Sequence, residues 1–166
     1  GADKFTLNSL KKMIFAHDLK GNIYNPRNKE IKCIVEGKAR GNLIGGNLSI
    51  ICSSLGTENE IDTRNKILFI EEIGEEPYKV DRMLLQLVQA GKINDCAGII
   101  FGYFSSCEPS NPNQSLTISE VIKELIKPCG KPIIAGVACG HSLPSLTLPM
   151  GVEVVIDSKN KNIKII

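Results

Sequence analysis

Two functional side chains directly follow apolar segments that have the pattern of core strands. Glu71 comes immediately after Ile-Leu-Phe-Ile at residues 67–70, and His141 follows residues 132–137 after a short Ala-Cys-Gly link. Because sites in parallel α/β sheets collect beyond the carboxyl ends of the strands, the two side chains could meet there. A carboxylate in that position accepts the imidazole N–H, fixes its tautomer and stabilises its charged form. The pair is therefore a candidate acid and base, and Gly140 gives the backbone freedom to turn the ring inward.

Both residues also have ordinary interpretations. A glutamate after a strand is often a surface residue or a helix-start partner, and His141 precedes Ser-Leu-Pro, which is typical of a loop. Glu72, Glu75 and Glu76 are expected near the start of the following helix, where negative charge is favoured. If the strand continues, Glu71 and Glu72 point to opposite sides, so at most one of them faces the site.

A triad also needs a nucleophile, and the sequence offers no convincing one. There is no G-x-S-x-G elbow. Ser49 lies inside an expected buried helix, Ser142 is adjacent to His141 in the chain, and Cys139 is expected to pack inward. His17, in a Lys-rich amphipathic stretch, is interpreted as a solvated bystander.

The cysteines favour buried free thiols over disulfides or a metal site. None of the six forms a C-x-x-C pair, and several lie in apolar stretches. This pattern is typical of a reducing cytoplasm. A zinc site is a weaker alternative, because Cys139 and His141 offer two ligands without a matching second pair.

Strands and helices alternate along the chain. Core strands are expected at residues 66–70, 97–104 and 132–137. Helices are expected at residues 48–55, 79–90 and 117–126, the last opened by a Thr117–Glu120 capping box. Residues 5–16 fit either a helix or a linker. Further β segments are expected at residues 30–36, 145–148, 152–156 and 163–166.

This order of elements predicts an α/β fold with a mainly parallel core sheet. The strands at both ends exceed what a simple doubly wound sheet needs. We therefore expect a second small sheet packed on the first.

Length and composition limit the classes of function. The chain has 166 residues, 42% hydrophobic and 23% charged, which predicts one globular domain. A formal charge of +2, with lysines scattered among acids, gives no reason to expect a nucleic-acid partner. No apolar run approaches a membrane span. The chain lacks both a signal pattern and an initiator methionine, so we expect an expressed fragment, with residues 1–20 a possible linker or tag remnant.

Four segments together resemble one known family. They are GNLIGGNLSIICSSLGT, ILFIEEIGEEPYKVDRMLLQLVQAGKI, GIIFGYFSSC and PIIAGVACGHSLPSLTLPMG. In order and spacing they resemble the carboxy-terminal half of the LD-carboxypeptidases, serine peptidases of bacterial cell-wall recycling, a family that includes the microcin C immunity proteins. The resemblance runs from about residue 40 to the end.

The resemblance implies a layered β/β/α fold of the swivelling type and a Ser-His-Glu triad shared between two domains. The implied acid is Glu71 and the implied base is His141, while Gly46 and Asn47 of the Gly-Gly-Asn turn become candidate substrate-binding residues. Arg82 either supports Glu71 or the domain junction, or is a plain helix-surface residue.

The family's nucleophile and oxyanion hole belong to an amino-terminal domain with a Gly-x-Ser-Asp motif, which this chain lacks. The expected protein is therefore the carboxy-terminal domain of an enzyme that removes the terminal D-alanine from murein tetrapeptides. The resemblance further implies a cytoplasmic homodimer with no metal or organic cofactor and no nucleic-acid or membrane partner. The partner it does require is its own amino-terminal domain.

Two alternatives stay open. One is an immunity peptidase of the same family that cleaves a peptide–nucleotide antibiotic. The other is a non-catalytic binding or dimerisation module.

Overall fold

A computed structural model describes residues 1–166 and contains eight strands and five α-helices. The strands are β1 (Gly21–Ile23), β2 (Lys32–Val35), β3 (Lys38–Asn47), β4 (Ile67–Ile73), β5 (Gly98–Ser105), β6 (Ile133–Ala135), β7 (Glu153–Asp157) and β8 (Asn162–Ile165). The helices are α1 (Lys4–Phe15), α2 (Leu48–Ser53), α3 (Pro77–Gln89), α4 (Lys92–Asp95) and α5 (Ile118–Val121), and α5 continues as a π-helical turn over Ile122–Ile126 and a 3₁₀ turn over Lys127–Cys129. None of these helices is long and apolar enough to cross a membrane.

All eight strands belong to one hydrogen-bonded sheet, in the order β1-β8-β7-β3-β4-β5-β6-β2. The central strands β3, β4, β5 and β6 are parallel, whereas β7, β8, β1 and β2 pair antiparallel with their neighbours. The mainly parallel core is thus confirmed.

The surplus strands β1, β7 and β8 pack on one face of the parallel strands, as expected, but they are hydrogen-bonded to those strands through β3 instead of forming a separate sheet. The reason is the length of β3, whose first half pairs with β7 and whose second half pairs with β4. Gly41 lies where the two halves join, and a Cβ there would be only 2.5 Å from the backbone oxygen of Asn65. One strand therefore serves both parts of the sheet.

Two hydrophobic clusters cover the two faces of the parallel strands. Leu68 and Ile70 of β4 face a cluster built with α2, α3 and α5. Ile67 and Phe69 face the other cluster, to which β7, β8 and β1 contribute. Because both faces of β4 are covered, its apolar residues form an unbroken run rather than an alternating one. The result is the layered β/β/α arrangement.

Helix boundaries follow local signals. Pro77 lies in the first turn of α3, a position that proline favours, so the helix begins two residues before the predicted start. Gly91, in the left-handed conformation, follows its end. The capping box between Thr117 and Glu120 is confirmed. The helical alternative for residues 5–16 is also confirmed, with Asp3 capping α1.

The strand predicted at residues 145–148 is wrong. The backbone N–H groups of Ser145 and Thr147 donate to the hydroxyls of Thr6 and Ser9 on α1, at 2.8 and 2.9 Å, instead of to a neighbouring strand. These residues form an irregular segment because a helix supplies their hydrogen-bond partners.

Candidate active site

The structure brings Glu71 and His141 together. Oε2 of Glu71 lies 2.8 Å from Nδ1 of His141, although 70 residues separate them in the chain. The Glu71 side chain is 6% exposed and that of His141 is 51% exposed. In the tautomer with the proton on Nδ1, His141 donates this hydrogen bond to the carboxylate oxygen. Nε2 is then left as the basic nitrogen of a half-exposed ring.

Gly140 makes this contact possible. Its φ of +133° lies in a region that favours glycine, and an added Cβ would lie 2.7 Å from Oε2 of Glu71. The predicted bend before His141 is therefore present. A side chain at position 140 would occupy the space in which Glu71 meets the imidazole.

Strand β5 holds the loop that carries His141. The backbone N–H of Tyr103 donates to the carbonyl of Cys139 at 2.8 Å, and the Tyr103 hydroxyl donates to the carbonyl of Pro144 at 2.8 Å. The hydroxyls of Ser105 and Ser142 are 2.6 Å apart. These contacts anchor the loop on both sides of His141.

Asn25 is a second anchor, which no sequence motif had indicated. Its amide nitrogen donates to the carbonyl of Gly136 at 2.7 Å, and its oxygen accepts from the N–H of Ala138 at 2.9 Å. In the sequence, Asn25-Pro26 signals only a break between elements. No local signal could have indicated partners more than 100 residues away.

The predicted substrate-binding residues, Gly46 and Asn47, lie next to Glu71 at the end of β3. Asn47 is the register partner of Glu71 across the β3–β4 ladder. It is also the N-cap of α2, where its side-chain oxygen accepts from the N–H of Ile50. Its side-chain nitrogen donates to Oε1 of Glu72 at 2.8 Å.

The prediction that Glu72 lies at the start of the following helix is wrong. Because β4 continues to Ile73, Glu72 belongs to the strand, is 1% exposed and contacts the start of α2 instead. The two later glutamates do lie at the start of α3, where Glu76 is its N-cap and Glu75 pairs with Lys79 at 2.9 Å.

Hydrogen bonds keep Glu72 ionised in spite of its burial. Burial alone would raise the pKa of this carboxyl. Donors from Ser49, from the N–H of Ile73 and from Asn47 outweigh that effect and hold the pKa of Glu72 below its ordinary value.

The in-chain nucleophile candidates have other partners. The Ser49 hydroxyl donates to Glu72, and the Ser142 hydroxyl bonds to Ser105. Burial and the negative charge of Glu71 raise the pKa of Cys139 to about 11, so its thiol is protonated at neutral pH. No hydrogen bond joins any of these three groups to the imidazole of His141.

The remaining candidates lie away from the pair. The Arg82 guanidinium stacks over Tyr78, 5.3 Å from the ring centroid, and it forms no ion pair with Glu71. His17 is exposed. All six cysteines are free thiols, and no three His, Cys, Asp or Glu side chains cluster as ion ligands.

Residues 40–156 match the family model of the LD-carboxypeptidase C-terminal domain. The chain belongs to this family and is its carboxy-terminal domain, as the resemblance of the four sequence segments had led us to expect.

Curated relatives and solved structures agree with this assignment. The chain is 46% identical over 128 residues to a probable murein peptide carboxypeptidase of Bacillus subtilis, covering 77% of this chain and 40% of that protein. It is 34% identical over 134 residues to the microcin C7 self-immunity protein MccF of Escherichia coli, covering 78% of this chain and 37% of MccF.

Two solved structures share the fold over nearly the whole chain. Muramoyltetrapeptide carboxypeptidase from Oxalobacter formigenes matches with a TM-score of 0.81 and 27% identity, covering 98% of this chain and 54% of that one. MccF in complex with glutamyl sulfamoyl guanosine matches with a TM-score of 0.84 and 26% identity, covering 96% and 54%. The chain therefore spans about half the length of the proteins it matches, or less.

Proposed function

We propose that this chain is the acid–base half of a serine carboxypeptidase that removes the terminal D-alanine from murein tetrapeptides. The observation that carries the proposal is the 2.8 Å contact between buried Glu71 and half-exposed His141. Membership of the LD-carboxypeptidase family supports it, as does the resemblance to a probable murein peptide carboxypeptidase. The nucleophilic serine comes from an amino-terminal domain of the full-length protein.

In this mechanism His141 moves one proton twice. The serine oxygen attacks the carbonyl carbon of the terminal peptide bond while Nε2 of His141 takes the hydroxyl proton. The same proton then passes to the nitrogen of the departing D-alanine as the peptide bond breaks. Water repeats the sequence on the acyl-enzyme and releases the shortened peptide. Glu71 holds the imidazole and stabilises its charged form, while Gly46 and Asn47 contact the substrate.

The test uses the full-length protein with a murein tetrapeptide and measures released D-alanine by mass spectrometry. We expect His141→Ala to lower kcat by about 10⁴-fold and Glu71→Gln by a comparable factor, because the pair acts as a unit. Exposed His17 and the surface ion pair of Glu153 with Arg40 supply matched controls, so His17→Ala and Glu153→Gln keep normal turnover. Near-normal release by a folded His141→Ala variant would refute the proposal.

The isolated chain is expected to be inactive. It holds the acid and the base but no serine bonded to the imidazole, and removal of a triad nucleophile leaves only weak residual catalysis. The purified chain is incubated with the tetrapeptide beside its own Glu71→Ala variant. D-alanine release above that control would contradict a nucleophile supplied from outside the chain.

A second candidate is cleavage of a peptide–nucleotide antibiotic, which the 34% identity to the self-immunity protein MccF favours. Competing substrates distinguish the two: the full-length protein receives equal amounts of a murein tetrapeptide and an aminoacyl sulfamoyl nucleoside. A higher kcat/KM for the nucleoside would assign the protein to immunity. If the protein cleaves neither substrate and the upstream sequence has no Gly-x-Ser-Asp turn, the result would favour a non-catalytic binding or dimerisation module.

We also propose that the full-length protein works as a homodimer in the cytoplasm, where recycled murein peptides and reduced thiols are found together. Sedimentation equilibrium gives the oligomeric state. A monomer at micromolar concentration would contradict the dimer, and recovery of the protein outside the cytoplasmic fraction would contradict the location.

A further inference from the structure

Glu72 is a buried carboxylate to which the proposed mechanism gives no task. It is 1% exposed, and no lysine, arginine or histidine forms an ion pair with it. An ionised group buried in this way is costly unless hydrogen bonds replace its water. Four donors do so: the side-chain nitrogen of Asn47, the N–H and hydroxyl of Ser49, and the N–H of Ile73.

Three of these four donors belong to the first turn of α2 or to its N-cap, Asn47, which is also the last residue of β3. The backbone just before this turn is already paired, because Gly46 and Asn47 are the register partners of Ile70 and Glu71 in the β3–β4 ladder. The carboxylate of Glu72 thus adds side-chain hydrogen bonds between this turn and β4 to the backbone pairing of the two strands.

Capping of α2 does not by itself explain the carboxylate. The side-chain oxygen of Asn47 already accepts from the N–H of Ile50, as an N-cap does. What Glu72 adds is a fixed orientation of the Asn47 amide. If that amide turned over, its oxygen would face the carboxylate and its nitrogen would face the N–H of Ile50, and both contacts would be repulsive.

The position of Glu72 in the strand connects this turn to the proposed acid. Glu71 and Glu72 are consecutive in β4 and serve opposite sides, one contacting His141 and the other the Asn47 turn. Asn47 is in turn the register partner of Glu71. One short stretch of β4 therefore orients both the base and the neighbouring amide.

We propose that Glu72 is a positioning residue, which holds the Asn47 amide in one orientation toward the substrate of the proposed peptidase. The inference rests on the proposed function and adds to it a carboxylate that acts through Asn47, without touching the substrate itself. Asn47 is left with one unpaired N–H, which suits an acceptor oxygen on the substrate such as a carbonyl or carboxylate oxygen.

The kinetic test uses Glu72→Gln in the full-length protein acting on a murein tetrapeptide. Glutamine keeps the size but turns an NH₂ group toward the donors, so the Asn47 amide loses its fixed partner. We expect KM to rise about tenfold while kcat stays within about twofold, because the Glu71–His141 pair is untouched. Partial destabilisation lowers the active fraction but does not move KM, so the KM change separates positioning from a merely structural role.

Four further variants complete the kinetic test. Asn47→Ala raises KM by a similar factor, and the double variant is no worse than Asn47→Ala alone, because Glu72 acts only through that side chain. Glu72→Asp keeps the charge and recovers part of the loss. Glu76→Gln, which changes a carboxylate four residues further along the chain, keeps the normal KM.

A crystal structure of the full-length Glu72→Gln variant gives the second readout. We expect the Asn47 amide to be displaced and the Glu71–His141 contact to be retained. An unmoved Asn47, a normal KM, or additive effects in the double variant would each overturn the inference. If instead the proposed function is wrong, His141→Ala keeps full turnover, and the crystal structure alone decides whether Glu72 orients Asn47.

Discussion

Replacement of Gly140 by alanine would test how closely the backbone and the Glu71–His141 pair fit together. The added Cβ would lie 2.7 Å from Oε2 of Glu71, 3.2 Å from Cβ of Tyr103 and 3.3 Å from Cβ of Glu71. A separation under 3 Å forces one of the two groups to move. Because Tyr103 is anchored in β5, we expect the Glu71 carboxylate to shift away from His141.

Gly21 offers a control with nearly the same φ. Its φ is +129°, against +133° at Gly140, but an added Cβ at Gly21 would meet nothing within 4 Å. Gly21→Ala and Gly140→Ala therefore share the backbone strain of about 1–3 kcal/mol. Only Gly140→Ala also weakens a charge-assisted hydrogen bond, which contributes about 1.5 kcal/mol at the lower end of the usual range because His141 is half-exposed.

The free energy of unfolding, measured by urea denaturation, should fall by about 1.5 kcal/mol more for Gly140→Ala than for Gly21→Ala, equivalent to roughly 3–6 °C in Tm for a chain of this size. In a Glu71→Ala background the extra loss should disappear, since the carboxylate oxygen that lies within 3 Å of the added Cβ is gone. Equal losses in the two glycine variants, or an extra loss that survives Glu71→Ala, would refute the argument.

Three other measurements follow from the contacts of the site. Folding lowers the pKa of Glu72, so the ionised carboxylate stabilises the folded chain fully above its ordinary pKa of 4.5, and this contribution is lost as pH falls below that value. The urea midpoint should therefore decline less steeply with acid in Glu72→Gln than in the wild type. Asn25→Ala should lower the free energy of unfolding by about 2 kcal/mol, because it leaves buried backbone groups unpaired, and an unchanged urea midpoint would contradict this. With a pKa of about 11, Cys139 is thiolate in roughly one molecule in a thousand at pH 8. Removal of the neighbouring negative charge in Glu71→Gln should speed the alkylation of Cys139, measured by mass spectrometry, but not that of Cys52, whose thiol neighbours Glu72 instead. Equal alkylation rates of Cys139 before and after the substitution would argue against the charge effect.

The sequence predicted the strands and helices of the core because their signals are local. The apolar run before Glu71, the periodicity of α3 and the capping box of Thr117 each lie within a dozen residues. The errors came where partners are distant. Residues 145–148 have an apolar pattern compatible with a strand, yet hydroxyls of α1 take the N–H groups that a strand would pair.

The candidate site divides in the same way. Glu71 lies near the carboxyl end of β4 and His141 follows β6, with β5 between these two strands. Their meeting follows from the order of strands, because the carboxyl ends of parallel strands share one edge. Nothing local distinguishes Glu72 from a solvated glutamate or Asn25 from an ordinary turn residue. Their roles depend on partners 25 and 111 residues away, which only the folded chain brings within hydrogen-bond distance.

The sequence by itself therefore determined the class of fold, the family and the two residues proposed as acid and base, since these are written in short motifs and in the order of elements. Only the tertiary structure decided which side of β4 each glutamate serves and what holds the histidine loop, and it showed that the surplus strands continue the main sheet. Side-chain direction and hydrogen-bond partners are set by packing between distant segments, and no local pattern specifies them.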